Sequence, residues 1–228
     1  MKAFIFAAGL GTRLKPLTDT RPKALVEYRG KAMLDIVADR LKAQGFTGFV
    51  VNIHHFGEQI VRHIDGRADH GLFEISDERD LLRDTGGAIR HAFRRGILLG
   101  DSFMVHNVDI MSNVDLRKMA EAFKPDMLAL LLVSERETTR YLWFDDIMRL
   151  TGWENVKTGE VKGRRSSVKL AFAGVHILSS RVRELMEPWD EKFSIIDFYL
   201  SVCADEKIYG YVSEGAEILD IGKLEQLK

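Results

Sequence analysis

Two cationic side chains flank a glycine-rich segment near the start of the chain. The segment reads Ala-Ala-Gly-Leu-Gly-Thr-Arg over residues 7–13, and Lys23 follows within Arg-Pro-Lys. Glycine lets a backbone approach phosphate closely, so that its N–H groups can bind the oxygens. Arg13 can grip two phosphate oxygens at once, whereas Lys23 acts as a movable point charge. These residue types indicate a triphosphate site, with a tight turn flanked by solvated cations as the alternative.

Two aspartates that lie far apart in the sequence each follow an apolar run. Asp109 ends Phe-Met-Val-His-Asn-Val-Asp, and Asp220 follows Glu-Ile-Leu. Because open α/β sheets bind ligands at the carboxyl ends of their strands, we expect both carboxylates at one edge of the sheet. Mg²⁺ prefers one or two carboxylates together with phosphate oxygens, so both are candidate magnesium ligands. The alternative is that each aspartate caps a following helix.

A further pair of glycines opens a predicted helix. The run is Asp-Thr-Gly-Gly-Ala-Ile over residues 84–89. A glycine has no Cβ, so backbone at this point can pass beside a flat ring and read the edge of a base with its N–H and C=O groups. An ordinary helix entry is the alternative.

Taken together, these segments resemble the sugar-1-phosphate nucleotidylyltransferases, whose signature is similar to Gly-Leu-Gly-Thr-Arg (9–13) followed by Pro-Lys (22–23). The likeness extends from Met1 to Asp220. It implies that Arg13 and Lys23 hold the phosphates of an NTP and stabilise charge in the transition state, and that Asp109 and Asp220 bind Mg²⁺. The residues that it assigns to the nucleotide are Ala8, Gly9, Gly11, Thr12, Arg13, Lys23, Thr85, Gly86 and Gly87, and those that it assigns to the acceptor are Asn107 and Gly174.

Four features bear on the substrates. The Thr85-Gly86-Gly87 form and the chain length are similar to the uridylyltransferases of N-acetylmuramate 1-phosphate, which implies UTP, an amino-sugar 1-phosphate and release of pyrophosphate. The family has glycine where this chain has Val108, and Thr-Pro where it has Lys-Leu at 223–224. Neither change removes a carboxylate. Lys223 is a candidate partner for the lactyl carboxylate of muramic acid, with a solvated lysine as the alternative.

Other functions remain open on the sequence alone. The same chemistry would serve a phosphocholine cytidylyltransferase or a mannose-1-phosphate guanylyltransferase. A glycosyltransferase of similar sheet topology usually presents Asp-x-Asp, and Asp-Ile-Met at 109–111 lacks the second acid. A non-enzymatic sensor of nucleotide sugars would have no need of all four charged residues.

Strands and helices alternate over roughly the first 130 residues, as in α/β folds. Predicted strands cover residues 2–8, 49–53, 73–76, 102–106 and 127–133, and predicted helices cover 32–44, 58–64 and 86–95. We expect a Rossmann-like, doubly wound, mostly parallel sheet. The nearly all-apolar run 127–133 is typical of a central parallel strand.

The pattern changes after this point. A hairpin around Asp145-Asp146, a strand over 170–178 and a helix over 194–204 follow. We expect residues 135–175 to form a small β-rich lid subregion folded over the sheet. Since no internal repeat or long linker divides the chain, residues 1–228 are predicted to form a single nucleotidyltransferase domain.

Composition excludes several kinds of partner. The 228 residues include 33 Lys and Arg against 34 Asp and Glu, so the net charge of −1 favours neither nucleic acid nor an anionic membrane. The apolar N-terminal run is too short for a signal peptide, and no run is long enough to span a membrane. One cysteine, Cys203, excludes a disulfide within the chain. We expect a cytoplasmic monomer or small homo-oligomer.

Overall fold

The computed structural model describes residues 1–97 and 99–227, which contain fourteen strands and six α-helices joined by loops and short 3-10 turns. The strands are β1 (Lys2–Phe6), β2 (Glu27–Tyr28), β3 (Lys31–Ala32), β4 (Phe49–Ile53), β5 (Phe73–Asp77), β6 (Ser102–Asn107), β7 (Ile110–Ser112), β8 (Ala129–Ser134), β9 (Arg140–Phe144), β10 (Leu150–Asn155), β11 (Glu160–Gly163), β12 (Val168–Ser179), β13 (Ile208–Val212) and β14 (Ile218–Asp220). The helices are α1 (Met33–Ala43), α2 (Gly57–Asp65), α3 (Asp84–Arg94), α4 (Leu116–Ala122), α5 (Val182–Met186) and α6 (Ile195–Val202).

One ten-stranded sheet organises the molecule. Its order is β11-β10-β9-β12-β6-β1-β4-β5, with β8 joined to β12 and β13 joined to β8. Strands β5, β4, β1 and β6 run parallel to one another, as the alternation of predicted elements indicated. The predicted Rossmann-like, mostly parallel arrangement is therefore confirmed for the first half of the chain.

Alternate residues of β1 show how helices cover both faces of the sheet. Ala3 and Ile5 belong to a buried cluster with α1, α2 and α4, whereas Phe4 belongs to a cluster with α3, α5 and α6. Because successive side chains of a strand point to opposite faces, one helical layer lies on each side. Within residues 1–97 and 99–227, no helix combines the length and the apolar character needed to cross a membrane.

Strand β12 is where the sheet changes direction. It runs antiparallel to β6, β8 and β9. The prediction of a central parallel strand over 127–133 is only half correct, because β8 is parallel to β13 but antiparallel to β12. Its apolar residues reflect burial on both faces rather than strand direction. Strands β9 to β11 continue the same sheet from the first residues of β12, so backbone hydrogen bonds join the β-rich subregion to the rest of the sheet.

Two short antiparallel pairs were not indicated by the sequence pattern. One joins β2 to β3 just before α1. The other joins β7 to β14, so that a segment from the end of the chain lies beside the residues that follow β6. This second pair brings together residues more than 100 positions apart in the sequence and positions part of the site described below.

Two histidines lie buried where β6 and β12 pair. His106 and His176 are each 1% exposed. His106 Nδ1 donates to the Asn107 carbonyl oxygen at 2.8 Å, and His176 Nδ1 shares a hydrogen bond with the Tyr199 hydroxyl. Burial lowers the pKa of His106 to about 4; burial, followed by the charge on His106, lowers the pKa of His176 to about 3. Both imidazoles are therefore neutral at pH 7.

We expect the free energy of unfolding to fall as the pH drops from 6.5 towards about 4. Across this window the unfolded chain binds protons at both histidines and the folded protein does not, so protons favour unfolding. One pKa unit corresponds to about 1.4 kcal/mol. Urea unfolding at a series of pH values measures the slope. His106→Asn keeps a donor for Asn107 and should give a shallower slope, whereas an unchanged slope would contradict the assignment.

Candidate active site

A cavity of about 480 Å³ opens at the carboxyl ends of β1, β4 and β6. Open α/β sheets bind their ligands at this edge. The predicted site residues that line it are Ala8, Gly9, Arg13, Lys23, Thr85, Asn107 and Asp109. The predicted site residues outside its lining are Gly11, Thr12, Gly86, Gly87, Gly174 and Asp220.

The loop after β1 folds back on itself at Gly11, whose φ is 65°. A Cβ at this position would lie 2.7 Å from Thr18 Cγ2 and 3.1 Å from Lys23 Cβ, so glycine allows the two arms of the loop to approach. Gly9 has open space around it. Within the described part of the chain, the N–H groups of Gly9 and Leu10 have no hydrogen-bond partner. The loop therefore offers free donors, and Gly9 is the one of these two residues that lines the cavity.

Four charged side chains form one cluster beside this loop. Arg13 Nη1 donates to Asp220 Oδ2 at 3.2 Å, and Arg13 Nη2 donates to Asp109 Oδ2 at 3.5 Å. Lys23 Nζ is ion-paired with the same Asp109 oxygen. The side chains of Lys23 and Asp109 are 14% and 8% exposed, against 51% for Arg13. Two carboxylates and two cations thus neutralise one another, and Arg13 is the most exposed of the four.

The pairing of β7 with β14 brings the two aspartates together. Asp220 lies opposite Ile110, which follows Asp109 directly. The Ile221 N–H donates to the Asp109 carbonyl oxygen at 2.9 Å and fixes the two backbones. Asp109 is followed by a strand, so the helix-cap alternative does not hold for it. The predicted meeting of the carboxylates at one edge of the sheet is therefore observed.

Gly222 lies between the two carboxylates. A Cβ built there would be under 3.0 Å from Asp109 Oδ2, Asp220 Oδ1 and Arg13 Nη2, so these polar atoms converge on one point. Burial raises the pKa of Asp220, but the Gly222 N–H and the Arg13 charge outweigh it and hold that pKa below its usual value. Asp220 is accordingly ionised at neutral pH, as a metal ligand must be.

The converging carboxylates fit a hard divalent cation. Mg²⁺ takes one or two protein carboxylates and completes its octahedron with water or phosphate oxygens. Among residues 1–97 and 99–227 no group of three or more His, Cys, Asp or Glu side chains is placed to hold a metal. Asp109 and Asp220 would therefore hold Mg²⁺ jointly with a phosphate ligand rather than in a cage made by the protein alone.

Asn107 lines the cavity because Gly174 on the neighbouring strand makes room for it. Gly174 has φ 73°, and a Cβ there would overlap the Asn107 side chain. The pairing of β12 with β8 shifts register between Phe172 and His176, which is the irregularity that a β-bulge produces. Asn107 therefore lines the cavity, and Gly174 contributes by having no side chain that would displace it.

The two glycine N–H groups at the start of α3 already have a partner within the protein. The N–H groups of Gly86 and Gly87 both donate to the Phe193 carbonyl oxygen, at 2.9 and 3.2 Å. A Cβ on Gly86 would overlap the Phe193 ring, and one on Gly87 would overlap the Glu191 backbone. These glycines therefore permit close packing, and their N–H groups are not free to read a base. Asp84 and Thr85 form the cavity wall at this point.

Three polar residues of the cavity belong to no motif that the sequence displayed: Asn52, Glu78 and Lys192. Burial raises the pKa of Glu78 to about 7. Asn52 did carry a signal, because it is the one polar residue in the run Phe-Val-Val-Asn-Ile and a buried polar group requires a partner. Glu78 and Lys192 stand in polar segments where nothing distinguishes them from solvated residues.

Comparison with known proteins identifies the family. The nucleotidyl transferase family model matches residues 2–227. The chain is 34% identical over 226 residues to N-acetylmuramate alpha-1-phosphate uridylyltransferase from Caulobacter vibrioides, covering 93% of this chain and 88% of that protein. It is 32% identical over 227 residues to D-glycero-alpha-D-manno-heptose 1-phosphate guanylyltransferase from Aneurinibacillus thermoaerophilus, covering 97% and 93% respectively.

A solved structure shares the fold. HddC from Yersinia pseudotuberculosis, crystallised in complex with GMP-PN, aligns with a TM-score of 0.78 and 24% identity over 99% of this chain and 96% of that one. The chain therefore belongs to the nucleotidyl transferase family, and the resemblance predicted from its motifs is confirmed. It is an enzyme of the nucleotidyltransferase class.

We expect Gly222→Ala to lower the catalytic rate by about 100-fold, the cost of misplacing a reacting group by about 1 Å. The added methyl group would push Asp109 and Asp220 apart. Gly71→Ala is the matched control, because Gly71 has open space around it. Pyrophosphate release and thermal unfolding should be measured for both variants. A Gly222→Ala enzyme with a normal kcat would show that the carboxylates need not converge.

Proposed function

We propose that this enzyme transfers a nucleoside monophosphate from an NTP, with UTP first in preference, to a sugar 1-phosphate and releases pyrophosphate with the help of Mg²⁺. N-acetylmuramate 1-phosphate is the leading acceptor. The observation that carries the proposal is the cluster of Arg13, Lys23, Asp109 and Asp220 beside the cavity. Both of the relatives described above are named for transfer to a sugar 1-phosphate.

The proposed reaction is an in-line displacement at the α-phosphorus of the NTP. An oxygen of the acceptor phosphate forms the new bond to this phosphorus. The bond from the phosphorus to the oxygen that bridges to the β-phosphate breaks, and pyrophosphate leaves with that electron pair. Asp109 and Asp220 would hold Mg²⁺, which would neutralise part of the phosphate charge when bound. Positioning and charge compensation suffice, so no covalent enzyme intermediate is needed.

The two cations have separable roles. Lys23 is mostly buried, so its charge acts where the surroundings screen it least and stabilises the negative charge that grows on the leaving pyrophosphate. Arg13 is half exposed and can turn from the carboxylates to an arriving triphosphate. The free N–H groups of Gly9 and Leu10 bind phosphate oxygens beside them. In the proposed complex each cation thus exchanges a carboxylate partner for a phosphate partner.

Lys223 and Val108 bear on the identity of the acceptor. Lys223 shares a groove with Arg13, and its side chain is 51% exposed with Nζ 3.9 Å from Glu225 Oε1. An exposed pair between Lys223 and a lactyl carboxylate is worth roughly 1 kcal/mol or less. Val108 is buried and lines the cavity, where it narrows the space for the acceptor. The charge of Lys223 supports an acceptor that carries an additional negative charge.

A second candidate pair is GTP with a manno-heptose 1-phosphate. The likeness to the Aneurinibacillus guanylyltransferase, which extends over 97% of this chain, favours it specifically. The base contacts do not separate the two candidates, because Gly86 and Gly87 use their N–H groups within the protein. A direct comparison of substrates is therefore required.

We expect UTP with N-acetylmuramate 1-phosphate to give the highest kcat/KM in a matrix of five NTPs against muramic, glucosamine, mannose and heptose acceptors and phosphocholine. Lys223→Ala should raise the KM for the muramic acceptor by roughly fivefold, which is the effect of an exposed ion pair. It should leave the KM for N-acetylglucosamine 1-phosphate unchanged, because that sugar has no lactyl group. Pyrophosphate release measures each pair.

Lys118→Ala is the control for this series, because Lys118 is an exposed lysine on α4. Preference for GTP with a manno-configured acceptor would overturn the substrate assignment and leave the reaction class intact. Failure to release pyrophosphate with every pair would contradict the reaction itself.

A further inference from the structure

Asn52 is a polar residue enclosed in the apolar interior of the sheet. It lies on β4, is 3% exposed and lines the cavity. Its Oδ1 accepts hydrogen bonds from the N–H groups of Ala7 at 2.7 Å and Ala8 at 3.4 Å. These residues follow β1 and begin the glycine loop. Asn52 therefore fixes the point at which the loop leaves the sheet.

The other end of the same amide holds Glu78. Asn52 Nδ2 donates to Glu78 Oε1 at 3.0 Å. The Glu78 backbone is itself anchored, because its N–H donates to the Ile53 carbonyl oxygen at 2.9 Å and its carbonyl oxygen binds His54 Nδ1 at 2.7 Å. A single side chain thus connects the start of the glycine loop to an acid that also lines the cavity.

Glu78 itself is incompletely satisfied. Its side chain is fully buried and lines the cavity, and Oε2 has no hydrogen-bond partner in the described structure. A buried carboxyl oxygen without a partner is costly, which a ligand bound in the cavity would relieve. The direction of this oxygen depends on Oε1, and Asn52 is the side-chain partner that holds Oε1.

We propose that Asn52 is a positioning residue that sets the Glu78 carboxyl at a fixed place relative to the glycine loop, so that the loop and Glu78 hold the phosphate end and the nucleoside end of one nucleotide. The inference rests on the proposed function in that the cavity is taken to bind an NTP. Asn52 touches no reacting atom and acts through Ala7, Ala8 and Glu78.

Exchanging the donor and the acceptor of the hydrogen bond between Asn52 and Glu78 tests the proposal. In Asn52→Asp, a carboxylate oxygen still accepts from Ala7, but the amide donor to Glu78 Oε1 is lost and, at a pH well above the pKa of Glu78, the two carboxylates repel each other. In the double variant Asn52→Asp with Glu78→Gln, the new amide can donate to the new carboxylate and the hydrogen bond is rebuilt in reverse. Glu78→Gln alone completes the cycle, because interaction energies between neighbours are read from all four proteins.

The readout is the affinity for two probes, Mg-UTP and Mg-tripolyphosphate, measured by calorimetry without an acceptor. Tripolyphosphate has no nucleoside. We expect Asn52→Asp to weaken Mg-UTP binding by about tenfold, the equivalent of one hydrogen bond to a charged group. Binding of tripolyphosphate should change by less than about threefold, since the loop keeps its acceptor. The double variant should recover most of the loss for Mg-UTP.

Ser76→Ala is the matched control. Ser76 lies opposite Asn52 on the neighbouring strand, is fully buried and has a hydroxyl without a partner, so its loss should change neither affinity. Equal weakening of both probes by Asn52→Asp would show that Asn52 serves the loop alone and would overturn the proposal. So would a double variant that binds Mg-UTP no better than Asn52→Asp, or that fails to fold.

The same titrations separate this inference from the proposed function. A wild-type protein that binds Mg-UTP but releases no pyrophosphate with any acceptor would contradict the reaction and leave the role of Asn52 open to measurement by affinity. A wild-type protein that binds tripolyphosphate and Mg-UTP equally well would overturn the role of Asn52, because no nucleoside contact would then exist for Glu78 to make.

Discussion

Two carboxylates in close proximity repel each other unless nearby positive charge compensates them. In this protein Asp109 and Asp220 converge on the space beside Gly222, and Arg13 and Lys23 supply the compensation. The proposed reaction uses the same four charges with different partners, since triphosphate would draw the cations and Mg²⁺ would draw the carboxylates. In the proposed reaction the negative charges of Asp109 and Asp220 are therefore compensated both before and after substrate binding, although their partners change.

Two strands of different length, β6 and β14, bring the two carboxylates to the site. Strand β6, which is parallel to β1, ends two residues before Asp109 and is buried on both faces, so it provides a firm support for the first carboxylate. The second arrives on β14, a strand of three residues held by β7. Two glycines allow the site residues to pack closely because they have no side chains. Gly222 lies beside the two carboxylates, and Gly174 lies beside Asn107.

The sequence predicted the charged residues of the site because their chemistry and their places after apolar runs are local properties. Arg13, Lys23, Asp109 and Asp220 could each be selected in this way, and the structure brings them together. The parallel half of the sheet was predictable for the same reason, since alternation of strands and helices is visible along the chain.

What the sequence did not reveal depends on partners distant along the chain. Strands of three residues, such as β7 and β14, carry too little pattern to be recognised. The packing role of Gly86 depends on a carbonyl group at Phe193, and the role of Glu78 depends on an amide at Asn52. Strand direction in β8 was misjudged because burial on both faces produces the same apolar run in parallel and antiparallel strands.

Titration with Mn²⁺, followed by electron paramagnetic resonance, tests the exchange of partners most directly. If Arg13 and Lys23 occupy the carboxylates in the free protein, Mn²⁺ alone should bind weakly. With UTP present, the protein should bind Mn²⁺ about tenfold more tightly than UTP alone does in solution, which is a normal coupling between two ligands. Asp109→Asn should abolish this gain. Equally tight Mn²⁺ binding by the wild-type protein with and without UTP would contradict the exchange.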